Sequence, residues 1–238
     1  MSDDHPLFAA VYDPLTKPAE ASFAPHREWL ASDLHGHVLD VGTGTGAMFP
    51  YYASAQTDGS TAKTFSAIEP DRHMRRRAAS RARDCGLNVT IYDAGAESLP
   101  FEDDSVDVAV VSLVLCTVGD LDASIDELAR VLKPGGELRI LEHVHASGAK
   151  GSLQSAATPV WKRVAAGCHL DRDSGDRLLA DDRFETVEFE RLDSSLPLVT
   201  PFVRGRFVRR PTGEKPRGAL DSLSARFRTA VDTLLPTA

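Results

Sequence analysis

Val38–Gly46 reads V-L-D-V-G-T-G-T-G, and its reading decides the fold. Val38, Leu39 and Val41 have the character of a buried parallel strand interrupted by one acid. Gly42, Gly44 and Gly46 then stand at alternate positions, where the backbone can turn tightly and approach a ligand that a Cβ would exclude. The apolar run from Ala47 to Ala53 reads as the helix that follows. A strand, a glycine turn and a helix N-terminus together form a seat for a nucleotide-like ligand. With Ala47 in the last slot, the turn also satisfies G-x-G-x-x-[GA], so this stretch alone leaves a dinucleotide enzyme open.

Strands and helices alternate outward from that turn. Thr64–Ile68 reads as a second strand ending at Glu69, preceded by a polar loop over Gln56–Lys63. An acid at that carboxyl edge can accept hydrogen bonds from ribose hydroxyls. Asp71–Cys85 is a basic helix stopped by Gly86. Its Arg75-Arg76-Arg77 run has no interleaved aromatics and reads as an exposed face rather than an RNA or lipid patch. Asn88–Tyr92 is a third strand. Val106–Leu115 has the composition of a central strand buried on both faces, and Asp120–Leu132 of an amphipathic helix. Lys133–Gly136 is a turn, and Glu137–Val144 a fifth strand.

Beyond it, Ser152–Ala166 reads as a helix interrupted by Pro159, and Asp173–Ala180 as a short helix. Phe184–Leu192 and Phe202–Arg209 read as an antiparallel pair at the sheet edge. The fold expected is α/β: a doubly wound, Rossmann-like sheet of seven strands, mostly parallel, with an antiparallel edge and helices on both faces. Two short helices over 5–34 are expected as a lid or cover, and an amphipathic helix over 217–235 at the other end. The division that follows is 1–36 as helical cover, 37–210 as the main domain and 211–238 as a terminal helix. Within the domain, 37–144 is the ligand-binding core and 145–210 the second-substrate region.

The 238 residues, with 42% hydrophobic and 26% charged content, suit one large globular domain. A net charge of −8 argues against general affinity for nucleic-acid backbones or anionic lipid. Cys85, Cys116 and Cys168 are odd in number and far apart, which indicates neither a disulfide framework nor a C-x-x-C metal site. No apolar leader and no spanning run is visible, so a soluble, cytoplasmic chain is expected. Contact of 217–235 with a membrane surface is a possibility that docking on the core outweighs.

Five blocks, V-L-D-V-G-T-G-T-G, A-I-E-P-D, A-G-A-E-S-L-P-F, D-S-V-D-V-A-V-V-S-L-V-L and R-V-L-K-P-G-G-E-L, together resemble class I S-adenosylmethionine (SAM)-dependent methyltransferases over about residues 38–144. Further segments, L-V-L-C-T-V (113–118), L-E-H-V (141–144), T-P-V-W-K-R-V-A-A-G-C-H-L (158–170) and L-V-T-P-F-V-R-G (198–205), resemble the small-molecule alkyl thiol methyltransferases of the methyltransferase-like subfamily. Animal members of that subfamily carry an apolar N-terminal anchor that is not seen here.

The resemblance implies SAM as cofactor and a small-molecule acceptor, thiol first. A quinone, phenol or phospholipid head group is the alternative acceptor, and a non-catalytic SAM-binding protein is a remoter one. In this reading Gly42, Gly44 and Gly46 pack against the amino-acid part of SAM, and Asp40 braces the turn or accepts from the α-amino group. Glu69 takes the ribose hydroxyls, and Ala96 and Glu97 meet the adenine. Related enzymes often place Asp just before that pair, where this chain has Gly95.

On the acceptor side, Ser112, Cys116, Trp161 and His169 are candidate pocket residues. His143 is the candidate base, with a packed structural histidine as the competing reading. His143 and His145 are too sparse a pair to indicate a metal, and Cys116 and Cys168 read as small apolar fillers.

Overall fold

The computed structural model describes residues 20–57, 61–192, 200–211 and 213. The helix expected over 217–235 and most of the N-terminal segment lie outside the described residues. A helix, α1, runs over residues 20–30 and continues through Pro25 without interruption. Next come β1 (His35–Val41), α2 (Phe49–Thr57), β2 (Thr61–Ile68), α3 (Arg72–Cys85), β3 (Val89–Tyr92), β4 (Val106–Ser112) and α4 (Leu121–Val131). The chain continues through β5 (Leu132–His143), α5 (Gly148–Val164), α6 (Ser174–Leu179), β6 (Phe184–Leu192) and β7 (Phe202–Arg209).

One seven-stranded sheet has the order β3-β2-β1-β4-β5-β7-β6. Pairing is parallel from β3 to β5, while β7 runs antiparallel to both β5 and β6. The strand order reverses between β1 and β4, which opens a crevice at their carboxyl ends.

Alternation along the central strands builds two cores. Ala109 and Val111 of β4 join Leu39, Val41, Ile125 and Leu128 on one face. Val108 and Val110 join Val38, Phe49, Tyr52 and Phe65 on the other, with Phe23 and Leu30 from α1. Burial on both faces explains why these strands read as continuous apolar runs.

Several boundaries differ from the sequence reading for local reasons. β2 begins at Thr61 instead of emerging from a polar loop, because Thr61 N donates to Leu34 O (3.2 Å) and pairs in register with His35. β4 stops at Ser112: Leu113 has a φ of 62°, and the chain turns away although its residues stay apolar. The Lys133–Gly136 segment is a bulge within β5, with Val106 facing Leu132 and Val108 already facing Glu137. There Lys133 Nζ bonds Asp107 (2.7 Å), and Asp107 also accepts from His37 N (2.8 Å), fixing the edge opposite the crevice.

Pro159 does not interrupt α5, which is one helix over Gly148–Val164. Its missing amide costs one helical hydrogen bond and leaves the rest intact. α3 starts where Asp71 Oδ1 accepts from His73 N (2.7 Å) and Met74 N (3.1 Å), and it ends at left-handed Gly86.

Candidate active site

The turn after β1 separates the three glycines by role. All three have positive φ: 64° at Gly42, 58° at Gly44 and 81° at Gly46. A Cβ on Gly42 would lie 2.6 Å from Val114, and one on Gly46 2.8 Å from Phe49, so both are fixed by packing. A Cβ on Gly44 would meet nothing within 4 Å. Gly44 therefore faces the open crevice, as a position that receives a ligand must.

Glu69, at the end of β2, is buried, and its carboxylate bridges two elements. Oε2 accepts from Gly44 N (2.9 Å) and Oε1 from Asp71 N (2.9 Å). Burial raises its pKa despite those bonds. Arg75, half-buried at the head of the arginine run, reaches Glu69 O (2.6 Å) and pairs with Asp93 (2.6 Å). It thus ties the carboxyl end of β2 to that of β3, a role the reading of the run as an exposed face did not capture. Arg76 and Arg77 are exposed.

Asp40 is buried at 3% exposure, and burial pushes its carboxyl up to about 6. Tyr52 Oη donates to Asp40 Oδ1 (2.8 Å), while Oδ2 has no protein partner. A buried carboxylate oxygen with an unfilled valence beside an open glycine turn suits a ligand that carries an ammonium group. A Gly44 cradle, a free Asp40 oxygen and Glu69 at the next strand end thus fit the amino-acid and ribose parts of SAM. Tyr52 was not among the expected site residues, and no local motif marks it. Its relation to Asp40 arises only when α2 folds back over β1.

Ala96 is buried in the core. The Glu97 carboxylate accepts from Gly119 N (2.7 Å), joining the loop after β3 to the approach to α4. A Cβ on Gly95 would lie 2.8 Å from Glu97 Oε2, so a larger residue there would displace that carboxylate.

The acceptor edge is assembled by Glu142. It is fully buried and accepts from Val114 N (2.7 Å), Leu115 N (2.9 Å) and Cys116 N (3.3 Å), shaping the turn after β4. Burial raises its pKa to about 7. Arg172 Nη1 braces the same turn through Leu115 O (2.9 Å) and Val118 O (2.6 Å), and His169 N donates to Cys116 O (2.8 Å). His169 therefore sits where the 165–169 turn meets the 113–118 turn. Burial, and then the neighbouring Arg172, lower its imidazole pKa. Ser112 is half-buried at the end of β4.

Two expected site residues, the pocket candidate Cys116 and the candidate base His143, come together here with Cys168, which was not expected. Cys116, His143 and Cys168 place their donor atoms within 4.8 Å of one another, with His143 Nε2 3.9 Å from Cys168 Sγ. Contact with Cys116 and the neighbouring His143 draw the Cys168 thiol down, and the same contact with burial drives Cys116 up. His143 Nδ1 and Trp161 Nε1 are buried without hydrogen-bond partners. The two cysteines are thus more than apolar fillers: they face each other and an imidazole across the ends of three segments. Their separation of 52 positions in the chain hid this, since metal or thiol spacing is legible only when local.

Residues 39–140 match the family described as a methyltransferase domain. The human thiol S-methyltransferase TMT1A is 29% identical over 179 residues, covering 72% of this chain and 70% of the relative. The ubiquinone/menaquinone biosynthesis C-methyltransferase UbiE of Escherichia coli is 29% identical over 202 residues, covering 74% and 79%. In structure the chain is similar to geranyl diphosphate C-methyltransferase of Streptomyces coelicolor, solved with S-adenosyl-L-homocysteine. That match has a TM-score of 0.59 and 17% identity, and it covers 78% of this chain and 77% of the other. Fold, crevice and sequence similarity agree on a SAM-dependent methyltransferase, with its methyltransferase domain at residues 39–140.

Proposed function

We propose that this methyltransferase acts on a small-molecule thiol. The observation that carries the reading is the similarity to a thiol S-methyltransferase, which runs over 179 residues and so extends well past the 39–140 block. The chemistry of the acceptor edge supports it. Glu142, the one fully buried carboxylate there, is committed to three backbone amides. The groups around it include the Cys116 and Cys168 thiols and the His143 imidazole. A thiol ionises near pH 8.5 and needs little help from a base, whereas a phenol or quinol needs more. His143 takes the proton or steers the thiolate in this reading.

Bound SAM supplies an electrophilic methyl on a sulfonium, and the protein's part is to orient the acceptor and exclude water. Gly44, Asp40 and Glu69 hold the cofactor, and Ala96 and Glu97 flank the adenine. Ser112, Cys116, Trp161 and His169 line the acceptor side. Residues 37–210 form the working domain, with 1–36 as its cover. Among the described residues no helix is long and apolar enough to cross a membrane. Free thiols at all three cysteines suit a reducing cytoplasm. A net charge of −8 suits a small-molecule acceptor better than nucleic acid.

The comparable similarity to UbiE supports a second reading, C-methylation of a quinone-type acceptor. Methyl transfer from labelled SAM to a panel of small thiols, phenols, quinols and amines separates the two. Turnover on thiols is expected; turnover confined to quinols would replace the acceptor and keep the cofactor.

A further inference from the structure

We propose that Cys116, His143 and Cys168 form a three-ligand site for a single divalent cation of the zinc class. The donors are two sulfurs and one imidazole nitrogen, a set that borderline-soft ions prefer to hard ones such as magnesium or calcium. A tetrahedral zinc with bonds of about 2.3 Å to sulfur and about 2.0–2.1 Å to nitrogen would hold these donors about 3.5–3.8 Å apart. His143 Nε2 and Cys168 Sγ are 3.9 Å apart, and all three donors lie within 4.8 Å, so closure requires side-chain adjustments of under about 1 Å. The scaffold is rigid on each side. Cys116 follows the turn held by Glu142, His143 ends β5, and Cys168 belongs to the turn that His169 N ties to Cys116 O.

A second observation points the same way. His143 is 3% exposed, yet its Nε2 faces only a thiol and its Nδ1 has no partner. A buried imidazole without a strong hydrogen bond is costly unless another species engages it. An ion on Nε2 would supply that interaction.

Three protein ligands leave a fourth position open, the arrangement of reactive rather than purely structural sites. Cys116 and His143 are buried whereas Cys168 is half-buried, so the open position lies on the Cys168 side. An acceptor sulfur could bind there as thiolate, its proton passing to solvent. This extension rests on the thiol reading; the metal site does not.

The test uses the full chain, reduced and stripped of metals, titrated with cobalt(II) and then zinc. The expected result is one cobalt per chain at micromolar affinity or tighter, with thiolate-to-cobalt charge-transfer bands and strong visible bands of four-coordination, all bleached by zinc. Cys168→Ser should weaken binding at least tenfold and remove much of the charge-transfer intensity, and His143→Asn should also weaken it. Cys85→Ser should change nothing. Retained SAM binding and circular dichroism show that each variant is folded; should Cys116→Ser not fold, Cys168→Ser carries the test.

No stoichiometric binding by the protein kept reduced, or a spectrum unchanged in Cys168→Ser, would overturn the site. Adding a small thiol to the cobalt form should shift the visible bands, and a phenol should not. Bands that ignore the thiol while cobalt stays bound would overturn the extension alone.

Discussion

Asp40 and Glu69 are carboxylates at adjacent strand ends whose pKa values burial raises, yet they are satisfied to different degrees. Glu69 spends both oxygens on backbone amides, while Asp40 keeps Oδ2 without a protein partner. Glu69→Gln retains one acceptor and removes the charge, and should weaken SAM binding by about 1–3 kcal/mol in a calorimetric titration. Unchanged affinity would remove Glu69 from the site.

Asp40 has a pH signature. Its native pKa of about 6 lies above the value near 3.9 expected in the unfolded chain, so native protein holds the proton more tightly. That contribution to stability is complete below about pH 4 and is lost as pH rises through about 6. Asp40→Asn keeps an oxygen for Tyr52 and cannot ionise. In urea unfolding its stability relative to wild type should rise between about pH 4 and 8 by about 2–3 kcal/mol, while its SAM affinity at pH 8 falls. A stability difference independent of pH would show that Asp40 is not held protonated.

At the scale of elements, the glycine turn divides labour between folding and binding. Ala at position 42 would collide with Val114 as well as strain the backbone, so Gly42→Ala should lose stability first. Gly44→Ala bears only the positive-φ cost, about 1–2 kcal/mol, but projects a methyl into the open crevice. Thermal melts with and without SAM should therefore show Gly44→Ala folded but hardly stabilised by ligand, and Gly42→Ala already weakened without it. Equal ligand-induced shifts in Gly44→Ala and wild type would contradict the placement.

This turn was legible because its chemistry is local: strand, glycines and helix follow one another in nine residues. The acceptor edge was not. Glu142 reaches back 28 positions to Val114 N, and Cys168 reaches His143 across 25, contacts created by the parallel β4–β5 crossover and by the return of the turn after α5 to the strand ends rather than by spacing. Strand ends were misread where apolar character outlasts pairing, as at Leu113–Leu115.

For the molecule as a whole, the sheet order β3-β2-β1-β4-β5-β7-β6 places the Gly44 turn, Glu69, Ser112 and His143 along one edge. The opposite edge, with Asp107 and Lys133, is closed by packing and charge pairing. Arg139 joins the described N-terminal segment to this frame. It is 2% exposed, pairs with Glu137 (2.7 Å) and donates to Leu30 O and Ser32 O. Arg206 also pairs with Glu137. Arg139→Met should destabilise the fold by about 1–3 kcal/mol in urea unfolding, since it leaves the Leu30 and Ser32 carbonyls without their buried donor and Glu137 with Arg206 alone. A loss below about 1 kcal/mol would mean the segment is held by its apolar face alone.

The most direct test of the account is a calorimetric titration of the full chain with SAM. One SAM per chain, with affinity reduced in both Glu69→Gln and Gly44→Ala, is the predicted result. No binding, or binding indifferent to both substitutions, would contradict the assignment of this crevice to SAM.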